Sequence, residues 1–271
     1  RPCFILKLDL QGYFMSIDRR ILYEKVRGTM EKYAYRKDGD GIRWKDKLDY
    51  ELVMYLAKVI IFNDPVKNYQ IKGHKSDWDG LPLNKSLFYS DEGCGLPIGN
   101  LTSQLFSNVY LTCFDHYVKR ELGFKHYGRY VDDFYLIDED KEKLKAVIPK
   151  LAAFLKEHLK LTIHPKKIYL QQYEKGVLFT GGFVKPYRIY IANRVKKRMT
   201  ERLDSLRNNK KLNLHELRCS VNSYLGVMKH YKSFNIRKKI MIRHAWVFKY
   251  GYVCGCCSIF KLNDPGSAPC C

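Results

Sequence analysis

No stretch of about eighteen uncharged apolar residues occurs in this chain of 271 residues, so it lacks the run a membrane-crossing helix needs. No signal-peptide pattern opens it either, which leaves a reducing compartment as the default for its thiols. Acidic residues are scarce beside basic ones. Asp and Glu total 28 against 49 Lys and Arg, a formal charge of +21. That imbalance points to a polyanionic partner, nucleic acid ahead of an anionic membrane surface. The cysteines lack the even spacing of a disulfide framework, and five of the nine fall in the last 18 residues. Cys254 and Cys257 form a C-x-x-C spacing with no second such pair, so the tail reads as a frayed end carrying free thiols rather than as a zinc site.

What is present describes a folded protein. Hydrophobic residues make up 46% and aromatic residues 14%, enough for one large domain or two smaller ones. Charge is uneven: from Tyr187 onward 18 Lys and Arg stand against 4 Asp and Glu. A strongly basic segment is therefore attached to a more balanced one. The chain begins RPCFILKLDL, already strand-like, and reads as a fragment whose N-terminal part is missing.

Hydrophobic periodicity predicts a strand over 3–8, helices over 17–30 and 50–62, and a long loop over 63–94, a length that usually carries function. A helix is expected over 99–122, with Asn100 or Thr102 as its cap, then a hairpin and a lysine-rich helix over 141–159. The runs LTIHPKKIYL and GVLFTGGFVKP read as short strands, followed by three helices near 194–209, 214–230 and 236–249. This order is an α+β arrangement, a split β-α-β sheet with helices on one face, followed by an all-helical unit with the boundary near Pro186.

The run GRYVDDFYLI, residues 128–137, carries the chemistry. Two adjacent aspartates interrupt an otherwise apolar strand, a placement that costs several kcal/mol unless a cation compensates it. Asp9 ends the first strand, and in an antiparallel sheet of this order it can lie beside the Val131-Asp132-Asp133 turn. Converging hard carboxylates select Mg2+ or Mn2+, and two such ions clamp the attacking and leaving oxygens of phosphoryl transfer. A solvated Asp-Asp turn is the plainer alternative for the pair taken alone.

YVDD in a hairpin resembles the Tyr-x-Asp-Asp motif of reverse transcriptases, and LKLDLQGYFMSIDR resembles their first carboxylate motif. GLPIGNLTSQLFSNVYL, LTIHPKK and LFTGGFVKP resemble the loop-and-helix motif and the two that follow, in the family's order. The run IGNLTSQ, with Ile98 where related enzymes carry Gln, is similar to that of diversity-generating retroelement reverse transcriptases, and NSYLGVMKHYKSFNIRKK resembles their thumb.

The resemblance implies a right-hand palm over 1–186 and a basic helical thumb over 187–250, and the cysteine positions add a Cys-rich tail over 251–271. It implies two Mg2+ or Mn2+ ions held by Asp9, Asp132, Asp133 and the carbonyl of Leu10, with dNTPs as substrates. Phe14 matches the steric gate against a ribose 2′-hydroxyl, and Tyr130 would pack under the primer end. Pro97, Ile98, Gly99 and Gln104 would face the incoming nucleotide, Ile98 offering shape without a hydrogen-bond donor and so lowering fidelity. Lys166 or Lys167 would protonate the departing pyrophosphate, and Phe179, Gly181 and Gly182 would form the primer grip. Template RNA, an RNA–DNA duplex and a small basic accessory protein are the implied partners, in the cytoplasm of a bacterial or phage-infected cell. The family's fingers are expected before Arg1, so this length alone is expected to be inactive. The rival readings are an intron-encoded maturase-type reverse transcriptase, an RNA-dependent RNA polymerase and a catalytically idle RNA-binding scaffold.

Overall fold

A computed structural model describes residues 2–67 and 69–263, which form two compact units divided between Gln171 and Gln172. The first unit begins with β1 (Phe4–Asp9) and a single helical turn, α1 (Tyr13–Ser16). Next come α2 (Arg19–Ala34), α3 (Trp44–Lys47) and α4 (Tyr50–Phe62). After the long loop follow α5 (Leu101–Tyr110), α6 (Thr112–His116), β2 (His126–Tyr130), β3 (Asp133–Asp138) and α7 (Lys141–Leu159). β4 (Tyr169–Gln172) completes a sheet of order β2-β3-β1-β4.

Parity along β1 and β3 sets the layers. The strands pair antiparallel with Leu6 opposite Leu136 and Leu8 opposite Phe134, all four fully buried. These side chains share a core with Leu22 and Val26 of α2, Tyr110 of α5, Phe114 of α6, and Leu144 and Leu151 of α7. Because side chains alternate along a strand, Lys7 with Tyr135 and Asp9 with Asp133 fall on the opposite face. Three helices start at aspartate caps: Asp18 accepts from Arg20 N and Ile21 N, Asp49 from Leu52 N, and Asp140 from Glu142 N and Lys143 N. Asn100 takes the cap position of α5, but its side chain makes no capping bond. The 63–94 segment contains short 3-10 turns and is otherwise irregular.

The second unit holds a sheet of β5 (Val177–Phe179), β6 (Gly182–Lys185) and β7 (Arg188–Ile191). Helices α8 (Asn193–Arg207), α9 (Leu214–Met228) and α10 (Phe234–Arg243) follow, then the hairpin of β8 (Gly251–Cys254) and β9 (Ile259–Leu262). The division falls ahead of Pro186 because this small sheet packs with the helices: Ile191 joins the core formed by Met199, Leu203, Leu217 and Leu225. Strand structure is absent from most of LTIHPKKIYL, where Pro165 lacks a ladder donor; Ile163 makes an isolated antiparallel bridge to Leu10, and the ladder resumes at Tyr169. The last helix stops at Arg243, and residues 245–249 continue as a 3-10 turn.

Cys254, Cys256 and Cys257 are free thiols, yet they do not lie in a frayed tail as expected. Phe260 is buried among the helices, and the Asn222 side chain donates to Phe260 O at 2.9 Å and accepts from Phe260 N at 2.7 Å, which anchors the hairpin. Cys270 and Cys271 lie outside the described residues. Among the described residues no helix is long and apolar enough to cross a membrane.

Phe134 meets Phe114 edge to face at 5.1 Å beneath the outward carboxylates. Phe134→Ala is expected to destabilise the first unit by about 3–5 kcal/mol, read as a lower urea midpoint with an unchanged slope.

Candidate active site

The β2–β3 hairpin closes through a two-residue loop, Val131-Asp132, between the paired residues Tyr130 and Asp133. Val131 takes φ +57°. Glycine normally serves at such a position, and for a β-branched residue the left-handed region costs about 1–2 kcal/mol. On the neighbouring strand Asp9 is the direct cross-strand partner of Asp133, and Leu10 N donates to Asp132 O at 3.3 Å. Asp9, distant in the chain, therefore lies beside the adjacent pair Asp132 and Asp133 at one end of the sheet. Like charges directly opposite one another in a sheet are destabilising.

Two lysines answer that repulsion. Lys167 Nζ donates to both carboxylate oxygens of Asp9 at 2.8 and 2.9 Å, and Lys7 Nζ lies 3.0 Å from Asp133 Oδ2. Asp132 has no ion-pair partner among the described residues, and Asp133 Oδ1 is buried without a hydrogen bond. Burial first, then the charges of Asp9 and Asp133, pushes the Asp132 carboxyl above its ordinary range. Burial raises Asp133 as well, with Lys7 opposing and Asp9 adding to the shift. Among the described residues no three His, Cys, Asp or Glu side chains surround one point as a finished cage. The donor set nevertheless suits a hard divalent cation: oxygen ligands only, one of them orphaned, with net negative charge left after the lysines are counted.

A cavity of about 630 Å3 opens beside Asp9 and Asp132, while Asp133 and Lys7 do not line it. Asp9, Leu10, Phe14, Ile98, Asp132 and Lys167 line it, six of the residues singled out from the sequence. Ile98 reaches it because the chain returning from the long loop pairs with the α1 region: Gly95 N donates to Ile17 O at 2.9 Å and Leu96 N to Phe14 O at 2.8 Å. Lys167 and not Lys166 meets a carboxylate; Lys166 N donates to His164 Nδ1. Tyr130 is exposed at the hairpin end and does not line the cavity, nor do Gly99 and the exposed Gln104. Pro97 lines a separate cavity of about 230 Å3 between α4 and α5.

Phe179, Gly181 and Gly182 belong to the second unit, at the β5–β6 turn. There a Cβ on Gly182 would stand 2.7 Å from the Tyr231 ring, so its missing side chain is required by packing inside that unit.

Sequence reasoning did not find Asn84, Lys85 or His164, which also line the main cavity. For Asn84 and Lys85 the unusual length of the 63–94 loop was the available signal. Its approach depends on Gly12, at φ +55°, where a Cβ would meet Asn84 O at 2.8 Å.

No protein-family model matches the chain, and no curated protein does. Solved structures of telomerase are similar to it at low identity. Telomerase from Candida tropicalis with a TWJ fragment of telomeric RNA is 13% identical, with TM-score 0.47, over 92% of this chain and 40% of that one. Apo telomerase from the same organism gives 14% and 0.46 over 92% and 42%. Telomerase from Candida albicans in complex with a TWJ fragment gives 15% and 0.40 over 91% and 45%. This chain thus spans less than half the length of each of these three. At such identities, what the chain does has to be read from its own side chains.

The raised carboxyls have a stability consequence. A carboxyl whose folded pKa lies above its unfolded value stabilises the fold below the ordinary carboxylate range and loses that contribution as pH rises through the folded value. In metal-free buffer Asp132→Asn is therefore expected to raise the melting temperature at neutral pH, by about 2–4 °C per kcal/mol of repulsion relieved. The gain over the parent should vanish as the pH is taken below about 4, which paired melts across that range would show.

Proposed function

We propose that this chain is the carboxylate-bearing part of an RNA-directed DNA polymerase, a palm followed by a basic helical thumb. The observation that carries the reading is the Asp9–Asp133 cross-strand pair with Asp132 on the adjoining turn, beside a cavity lined by Asp9 and Asp132 together with an aromatic ring and a lysine. Asp9, Asp132, Asp133 and the carbonyl of Leu10 would hold the divalent ions. When bound, Mg2+ or Mn2+ supplies a lowered pKa at the primer hydroxyl and charge neutralisation on the triphosphate.

The remaining roles fall to the chain's own groups. Phe14 offers a bulky ring at the cavity wall, suited to exclude a nucleotide bearing a 2′-hydroxyl. Ile98, 68% exposed, gives the nucleotide an apolar surface without a donor. Discrimination there rests on shape, which is weaker than discrimination by a buried hydrogen bond. Lys167 Nζ, already at the acidic cluster, is placed to give its proton to the departing pyrophosphate. Lys7 keeps Asp133 neutralised from the side. The lysines and arginines of the second unit suit phosphate contacts along an RNA–DNA duplex, which are sequence-independent and salt-sensitive.

The diversity-generating retroelement assignment, with its small basic accessory protein, is the finer part of the proposal and rests on IGNLTSQ and Ile98. The competing reading, an idle RNA-binding scaffold, draws on the two lysines that already neutralise Asp9 and Asp133.

Primer extension on an RNA template by the polypeptide as its gene encodes it separates the two. Polymerase function predicts DNA product from dNTPs with Mg2+ or Mn2+, none after EDTA, and none from the Asp132→Ala, Asp133→Ala variant. Tight RNA binding without product under every condition would leave the scaffold. With activity in hand, Phe14→Ala is expected to lower the preference for dNTPs over NTPs by about tenfold or more in kcat/KM. Ile98→Gln should lower the misincorporation frequency in sequenced product.

A further inference from the structure

The guanidinium of Arg129, on β2, is 10% exposed beside the candidate site. It makes four hydrogen bonds. Nε and Nη2 donate to Asp115 Oδ1 and Oδ2 at 2.8 and 2.6 Å, a bidentate pair with α6. Nη1 donates to Asn108 Oδ1 at 3.1 Å on α5 and to the carbonyl of Val131 at 3.0 Å. Asp115 is held in turn by the Tyr127 hydroxyl, which donates to Oδ1 at 2.6 Å.

The last of the Arg129 bonds matters for the site. Val131 is the residue with positive φ, and its carbonyl belongs to the peptide that leads into Asp132. The next carbonyl, that of Asp132, accepts from Leu10 N. The turn is thereby held at two successive carbonyls, by the clamp on one and by β1 on the other. Without the first hold, a valine would relax toward negative φ and carry the Asp132 carboxylate with it.

Resting on the polymerase reading above, we propose that Arg129, locked by Asp115, is a positioning residue that keeps the strained Val131-Asp132 turn in the conformation that sets Asp132 beside Asp9. It touches neither substrate nor metal and acts through the turn.

The test uses the full-length polypeptide with Arg129→Ala, Asp115→Asn, Val131→Gly and the double variant Arg129→Ala, Val131→Gly. Arg129→Ala is expected to lower kcat by about tenfold to a hundredfold while leaving the KM for dNTP within about threefold, because geometry and not binding is lost. Asp115→Asn should lower kcat less. The discriminating result is rescue. Glycine accepts positive φ without strain, so Val131→Gly in the Arg129→Ala background should restore about fivefold or more of the lost kcat. A merely structural arginine would give no such rescue, and its effect would follow melting temperature across the set.

Mn2+ binding, read by electron paramagnetic resonance, gives a second readout that needs no turnover. Arg129→Ala should weaken it by about tenfold, with partial recovery in the double variant. Absence of DNA product from the parent would sink the polymerase reading while the Mn2+ series still judged the clamp. Unchanged kcat and Mn2+ affinity in Arg129→Ala, no rescue by glycine, or no Mn2+ binding by the parent would each overturn the clamp.

Discussion

Everything at the candidate site depends on the register of one strand pair. With Leu8 opposite Phe134 in the core, Asp9 must stand opposite Asp133 on the other face. A slip by one residue would drive both aspartates into the apolar layer under α7 and turn Leu8 outward. The fully buried Leu6, Leu8, Phe134 and Leu136 hold that register through apolar burial, at about 1.5–3 kcal/mol for each large side chain. The hydrophobic core thus sets the geometry of the acidic edge it does not touch.

That edge is locally unfavourable, and the fold offsets it rather than removing it. Asp9 and Asp133 are each met by a lysine, whereas the Asp132 carboxyl faces burial and two like charges, makes no ion pair among the described residues and feels Lys167 only through space. The turn beneath it adds a positive φ at valine. Unfavourable backbone and unfavourable charge coincide at one residue pair, held by Arg129, Asp115 and Leu10 N. Such coincidence is characteristic of sites whose geometry is maintained for chemistry. The cationic surplus that first marked the chain is arranged on two scales: single lysines at the carboxylates, and a broad excess along the second unit.

How much was legible in advance varied with the range of the cause. The helices over 50–62 and 141–159 could be read at their observed bounds because their apolar spacing and acidic caps are local. The Cys-rich segment could not, because its order comes from Phe260 packing under α9 and from the Asn222 amide, contacts made far along the chain. β7 escaped notice because Arg188–Ile191 is mostly exposed and carries little apolar alternation. At the site, Asp9, Phe14, Ile98, Asp132 and Lys167 were nameable, and they meet at one cavity. Gln104 and Tyr130 were named with them and do not line it.

By itself the sequence determined residue types and their local periodicities: an acidic turn in an apolar hairpin, an aspartate closing a strand, a surplus of cations. Those follow from short-range chemistry, which a linear string records in full. Only the tertiary structure decided that Lys167 rather than Lys166 meets Asp9 and that the long loop lays Asn84 over Gly12. It also decided that Arg129 reaches the carbonyl before Asp132. Each of these is a matter of which side chains the sheet register and helix packing carry into reach, and distance in space is the one quantity that spacing along the chain does not contain.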